Sequence, residues 1–286
     1  MNPQIRPRRS VLYMPATNKR AMDKARQLDV DAVIFDLEDA VAPEARAEAR
    51  RQACDQVREG GYGSREVLIR INGTDTPWSD DDLVAAVAAR PDGIVLPKVG
   101  TAASAAACVA RIRELGADIP LWPMIETPEG VSNVDEIAAV DGVAVLVMGT
   151  NDLIKELRAI NTPDRHALIY ALSRTVNAAR RYGRDALDGV SQVLNDPEAL
   201  TAVCRQGREL GFDGKTLVHP AQIGPTNAVF GPDEQAVEQA TRIIQAWEQA
   251  EAEGRGVAVL DGKMIESLHA AEARRLVAFD QAIKAR

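Results

Sequence analysis

The sequence predicts an α/β protein built on a (β/α)8 TIM barrel with a C-terminal helical and lid extension, and two observations carry that prediction. Eight short β-rich runs alternate with Ala-, Arg- and Glu-rich segments of helical spacing, and their starts, from Arg8 to Gly214, fall about 29 residues apart, the βα repeat of a parallel sheet. No G-x-G-x-x-G turn follows the first run, where a doubly wound nucleotide-binding sheet would want one. The expected division is a barrel over residues 1–225 and C-terminal helices with an active-site arm over 226–286.

The first run, Arg8 to Pro15, is followed by the helical stretch NKRAMDKARQL. In the second, Asp31 to Asp39, alternation puts Ala32, Ile34, Asp36 and Glu38 on one face and Val33, Phe35 and Leu37 on the other. The all-apolar face belongs against the helices, so Asp36 and Glu38 point into the barrel near its C-terminal end. In the third, Glu66 to Asn72, the same parity turns Val67, Ile69 and Ile71 outward and Arg70 and Asn72 inward. The fourth, Gly93 to Val99, sets Lys98 on the face of Ile94 and Leu96, and the fifth, Pro120 to Thr127, sets Glu126 with Trp122 and Met124. After the sixth, Val143 to Thr150, Asp152 follows a Gly-Thr-Asn turn; the seventh is Ala186 to Val193, and the eighth, Gly214 to Pro220, ends on His219. Polar residues thus gather at the rim where barrel enzymes keep their chemistry.

Composition narrows the partners. A net charge of −8, from 34 basic and 42 acidic residues, argues against nucleic acid, and 4% aromatic content argues against base stacking. No apolar run approaches the length of a membrane span, and the basic N-terminus lacks the apolar core of a secretory signal, so a cytoplasmic protein is expected. Cys54, Cys108 and Cys204 lie far apart in helical contexts and read as buried or inert thiols. No H-E-x-x-H and no nucleophile elbow occurs.

Two readings of the rim stay open on pattern alone. Asp36, Glu38 and Arg70 can form a structural salt-bridge network, since charges in a barrel mouth are costly unless paired. Glu126 and Asp152, on adjacent strands, suit an oxygen-ligand Mg²⁺ site, because that ion takes one or two carboxylates and keeps waters or substrate oxygens. His219, before Pro220, reads as a hydrogen-bonded structural or substrate-lining residue rather than a metal ligand.

The segments SVLYMPATN, DAVIFDLEDAVAPEARAEAR, VLIRIN, GIVLPKV, PMIETPEGV, VMGTNDL and DGKTLVHPAQI, in this order, resemble the citrate lyase β-subunit-like (HpcH/HpaI aldolase/citrate lyase) superfamily across essentially the whole chain, within it the malyl-CoA and citramalyl-CoA enzymes. That resemblance implies a CoA-ester enzyme whose metal, Mg²⁺ with Mn²⁺ able to substitute, is held by Glu126 and Asp152. It implies that Arg70 binds a substrate carboxylate or oxyanion, with Glu126, Lys98 and Asn72 as further substrate contacts and Asp36 and Glu38 in support. Asn18, Lys19, Arg20 and His219 are the expected coenzyme A contacts. The tail GRGVAVLDGKMIESLH reads as a ninth β-like run, in which Asp261-Gly262 can be merely a turn, and the resemblance implies an arm that covers a neighbouring subunit's site, delivering Asp261 for acid/base work. Gly254 and Gly256 would serve as its hinge, and the protein would be a homo-oligomer, trimeric or hexameric. The implied reaction is C–C cleavage of a 3-hydroxydicarboxyl-CoA to acyl-CoA plus glyoxylate or pyruvate, hydrolysis of the thioester, or both. The alternatives are a subunit acting on acyl-carrier thioesters and a non-catalytic CoA-ester-binding relative.

Overall fold

The structure, a computed structural model, describes residues 5–286; residues 1–4, the start of the basic N-terminal segment, lie outside the described residues. It comprises two compact units, Arg8–Asn227 and Ala228–Arg286, the latter with residues 5–7.

The first unit is a closed barrel of eight parallel strands: β1 Ser10–Pro15, β2 Ala32–Asp36, β3 Glu66–Arg70, β4 Gly93–Leu96, β5 Leu121–Ile125, β6 Val145–Met148, β7 Asp185–Asp188 and β8 Gly214–Leu217. Closure comes from β8 pairing with β1, Val11 opposite Thr216. All eight predicted runs are strands, each shorter than expected and trimmed chiefly at the C-terminal end. The cause is visible at β2. The Asp36 carboxylate accepts from the backbone N–H of Glu38 at 3.0 Å and of Ala40 at 3.1 Å. A side chain has replaced the ladder partner, so the chain leaves the sheet there.

Alternation fills the barrel with Val11, Ala32, Ile34, Leu68, Val95, Trp122, Met124, Val145, Val147 and Leu187, all buried. The parity expected for β2 and β5 therefore holds, and that of β3 holds as far as Arg70, where the strand ends. The expectation for β4 needs correction, because Val95 is the inward residue and Ile94 and Leu96 face the helices. Lys98 reaches the rim by a different route, a left-handed backbone with φ of 54° just past the strand.

No helix among the described residues is long and apolar enough to cross a membrane. The three cysteines are free and buried; burial pushes Cys54 up to about 11 and Cys108 up to about 12 and raises Cys204 as well, so all three stay as unreactive thiols.

In the second unit, the helices Glu234–Ala252 and Ser267–Lys284 flank a hairpin of β9 Ala258–Leu260 and β10 Lys263–Ile265. The expected single β-like run is thus two strands. Asp261 and Gly262 form the turn between them, with φ of 50° and 74°, the pair of left-handed residues that a tight hairpin turn requires. Ala258 and Ile265 pack on Trp247, Ala250 and Ala270, while Val259 and Met264, paired across the strands, are 69% and 59% exposed. One face of the hairpin is therefore core, and the other is apolar and open.

Candidate active site

A cavity of about 320 Å³ opens at the C-terminal ends of the barrel strands, lined by Arg70, Glu126, Asp152, Asp36, Asp39 and Tyr13 among others, and every lining residue belongs to the Arg8–Asn227 unit. Each of these side chains is placed by a strand or by the loop directly after it, except Asp152, which the first turn of a helix carries.

Arg70, the last residue of β3, is 6% exposed and sits opposite Asp36 in the strand register. Its guanidinium is gripped along one edge by Asp36, with Nε to Oδ1 and Nη2 to Oδ2 both at 2.6 Å. The geometry is the bidentate fork that lysine cannot reproduce. Nη1 lies 2.9 Å from Glu38 Oε2 and 3.2 Å from Asp39 Oδ2, and the ring of Tyr13 lies under the guanidinium, 4.8 Å from Cζ. Burial costs this cation solvation, yet Asp36 and its neighbours hold its proton far more firmly than usual. Glu38 makes its second ion pair with Lys98 Nζ at 3.1 Å, and its Oε2, though close to Arg70, has no aligned hydrogen bond. Burial raises the Glu38 carboxyl above its ordinary value despite both cations.

Glu126 follows β5 and is 2% exposed. Its Oε1 accepts the Lys98 backbone N–H at 2.7 Å, which is what the left-handed turn at Lys98 accomplishes. Desolvation pushes this carboxyl up to about 8, and the charges of Glu38 and Asp152 push the same way. Asp152 lies in the first turn of the helix Thr150–Glu156 after β6, half-buried on the cavity wall. Neither Glu126 nor Asp152 forms an ion pair with a lysine or arginine among the described residues.

The donor set fits a hard divalent cation. The lining residues include oxygen donors and no histidine or cysteine: four carboxylates, Asp36, Asp39, Glu126 and Asp152, stand there with one cation, Arg70, while the expected Glu38 lies behind the wall, paired with Arg70 and Lys98. Among the described residues no three His, Cys, Asp or Glu are grouped so that they could hold a metal ion, so a cation here would have two protein carboxylates. Two carboxylates with open positions for water and substrate are the arrangement Mg²⁺ uses.

Gly149 makes this placement feasible. A Cβ there would stand 2.1 Å from Glu126 Oε2 and 2.4 Å from Glu126 Cβ. Gly149→Ala is expected to displace the carboxylate and weaken Mg²⁺ binding about tenfold or more, measured by calorimetry on a variant whose circular dichroism matches the wild type.

The other expected site residues are distributed unevenly. Asn72 is not on the cavity wall: it is fully buried, and its amide donates to Asp82 Oδ2 at 2.6 Å and to the Leu37 carbonyl at 3.1 Å. Its expected inward parity counted past the end of β3, and its role here is to brace the β3 loop. The Lys98 side chain is exposed and tied to Glu38. Asn18 caps the helix Lys19–Ala25 by accepting from the Ala21 N–H at 3.0 Å, Lys19 lies 3.7 Å from Glu59, and Arg20 is exposed. His219 Nδ1 accepts the Ala221 N–H at 3.1 Å, an exposed cap. Asp261 is in the other unit, at the hairpin turn, paired with Arg242 at 2.7 Å.

Tyr13 and Asp39 were not anticipated from sequence. The signal for Tyr13 was present, since alternation in SVLYMP puts it on the inward face with Val11.

Comparison with known proteins adds identity to this geometry. Residues 9–220 match the family model described as HpcH/HpaI aldolase/citrate lyase. The chain is 48% identical over 282 residues to a (3S)-malyl-CoA thioesterase of Cereibacter sphaeroides, covering 99% of this chain and 98% of that one. It is 34% identical to citrate lyase subunit beta of Leuconostoc mesenteroides, covering 94% and 92%. Among solved structures it resembles the CitE protein of Mycobacterium tuberculosis in complex with magnesium, acetoacetate and coenzyme A, with a TM-score of 0.76, 27% identity and coverage of 95% and 97%.

Proposed function

From the premise that the chain belongs to the HpcH/HpaI aldolase/citrate lyase family, we propose that it hydrolyses (3S)-malyl-CoA or a related 3-hydroxydicarboxyl-CoA to the free acid and coenzyme A. It is a Mg²⁺-dependent CoA-ester enzyme. The observation that carries the reading is one cavity holding an unpaired carboxylate couple, Glu126 and Asp152, beside a clamped arginine. The likeness to (3S)-malyl-CoA thioesterase along nearly the whole chain supports hydrolysis as the outcome.

Glu126 and Asp152 would hold Mg²⁺, which when bound supplies positive charge to polarise substrate oxygens. Arg70 supplies the second positive charge, fixed in place before the substrate arrives. In hydrolysis, water adds to the thioester carbon as a base takes its proton, and the negative charge that this places on the thioester oxygen faces a guanidinium that Asp36, Glu38 and Tyr13 hold without reorganisation. The adduct then collapses, the C–S bond breaks, and the coenzyme A sulfur leaves as thiolate and takes up that proton. C–C cleavage uses the same groups: a base takes the hydroxyl proton, glyoxylate or pyruvate departs, and the acyl-CoA enolate is protonated. The relatedness to citrate lyase subunit beta favours retaining this second outcome.

Asp261 is the proposed acid/base group, delivered by the hairpin of a second copy in a homo-oligomer. What supports this is its position at an exposed turn and the open apolar face of Val259 and Met264 beside it, since a lid needs such a face to exclude water. Its ion pair with Arg242 is exposed, with side chains 53% and 44% accessible, and is worth about 1 kcal/mol or less. Leaving that partner is cheap. The exposed Asn18, Lys19, Arg20 and His219 are the proposed coenzyme A contacts.

Incubation of the pure protein with Mg²⁺ and (3S)-malyl-CoA tests the reading by following free thiol and glyoxylate separately. Free thiol is expected, accompanied by glyoxylate to the extent that C–C cleavage occurs; silence with both malyl- and citramalyl-CoA would mean a carrier-dependent or non-catalytic role. Asp261→Ala is expected to lower turnover about a hundredfold while sparing ester binding, and an unchanged rate would return Asp261 to its turn.

A further inference from the structure

Tyr13 crosses the barrel beneath the active site. It leaves β1, its ring lies under the guanidinium of Arg70 on β3, and its hydroxyl reaches Met124 on β5, 3.7 Å from the thioether sulfur. Arg70 Nη1 approaches the same sulfur at 3.9 Å. Arg70 Nη1 also has the carboxylate oxygens of Glu38 at 2.9 Å and Asp39 at 3.2 Å, so the donor left with a weak acceptor on the cavity wall is the Tyr13 hydroxyl. Donors in a sheltered site are normally matched to oxygen, and a thioether returns little of the hydration they give up. Met124 precedes Glu126 by two residues, and Tyr13, Arg70, Met124, Glu126 and Asp152 line the same cavity.

We propose that the Tyr13 hydroxyl is a second hydrogen-bond donor to the substrate oxyanion that Arg70 receives, so that a phenol and a guanidinium together form the anion-receiving floor of this site. Burial raises the phenol's proton affinity, and the carboxylates of Asp36, Glu126 and Glu38 add to the rise while Arg70 opposes it. The group therefore stays a protonated donor across the working range. The ring acts as a rest for Arg70, and the hydroxyl completes the fork by approaching from below.

The inference rests on the cavity being the site of a carboxylate-bearing ester, and the test separates the two. Tyr13→Phe keeps the ring under Arg70 and deletes only the donor; Met124→Leu deletes only the sulfur. Malonate is titrated by calorimetry into each variant with saturating Mg²⁺, and turnover of (3S)-malyl-CoA is measured in parallel. Tyr13→Phe is expected to weaken malonate binding about tenfold and lower kcat about a hundredfold, with Mg²⁺ affinity unchanged. Met124→Leu is expected to bind malonate at least as tightly as the wild type. Malonate affinity within twofold of wild type in Tyr13→Phe overturns the proposal, as does loss of Mg²⁺ affinity in that variant or the absence of malonate binding by the wild type. A tenfold binding loss in a protein whose wild type turns over no malyl-CoA sinks the reaction assignment and leaves the Tyr13 donor standing.

Discussion

Glu126→Ala is expected to abolish Mg²⁺-dependent turnover, a loss of about a thousandfold or more, because charge stabilisation by a bound metal is worth several kcal/mol. The isosteric Glu126→Gln should do nearly the same. The pH dependence distinguishes a ligand from a merely buried acid. With its carboxyl pushed up to about 8, Glu126 is protonated in the metal-free protein at neutral pH, and a metal must displace that proton. Apparent Mg²⁺ affinity should therefore fall as pH drops below about 8, by about tenfold per unit. Stability of the metal-free protein should move the opposite way. Between the ordinary value of 4.5 and about 8 the folded state holds a proton that the unfolded state has released, so stability falls as pH rises through that window. Glu126→Gln should flatten both profiles. Wild-type turnover in Glu126→Ala, or a pH-independent metal affinity in the wild type, would sink the assignment.

Arg70→Ala is expected to lower kcat/KM about a thousandfold and also to destabilise the barrel. Removing the guanidinium strands the buried Asp36 and leaves the buried Glu38 with Lys98 alone, and breaking a buried pair in this way costs about 3–5 kcal/mol. The two effects separate on adding guanidinium ion at concentrations well below denaturing ones, which should restore part of the rate by refilling the gap. Arg70→Lys keeps the charge but not the bidentate fork to Asp36, and should remain far below wild type. A stable Arg70→Ala protein with kcat/KM within tenfold of wild type would reduce the cluster to the structural salt-bridge network that its pattern also allowed.

How much of this was legible in the sequence follows from the physics of each element. The strands were readable because β-branched runs sit between glycines, prolines and charged helices, and parity placed Glu126 correctly because β5 alternates with Trp122 and Met124 on one face. In β4 every residue is apolar and buried, so alternation offered no contrast, and Val95 proved to be the inward one. Asn72 was misplaced because parity has no meaning once Arg70 ends the strand. The left-handed turn that lets the Lys98 amide hold Glu126 is a property of backbone geometry with no glycine to announce it. The tail reads as one continuous run with a turn at Asp261-Gly262 as the alternative, and the structure has that turn joining two strands, as the Asp-Gly pair favours. The buried cluster in which Asp188 meets Arg165 at 2.7 Å and Lys215 at 3.0 Å joins residues far apart in sequence, and only the closed sheet brings them together.

The most direct test of the central claim is a Mn²⁺ titration followed by electron paramagnetic resonance, comparing the wild type with the Glu126→Ala/Asp152→Ala double variant and displacing the ion with Mg²⁺. The expected result is one Mg²⁺-displaceable ion per wild-type chain and none in a double variant that remains folded by circular dichroism. Undiminished, displaceable binding in the double variant would contradict the account.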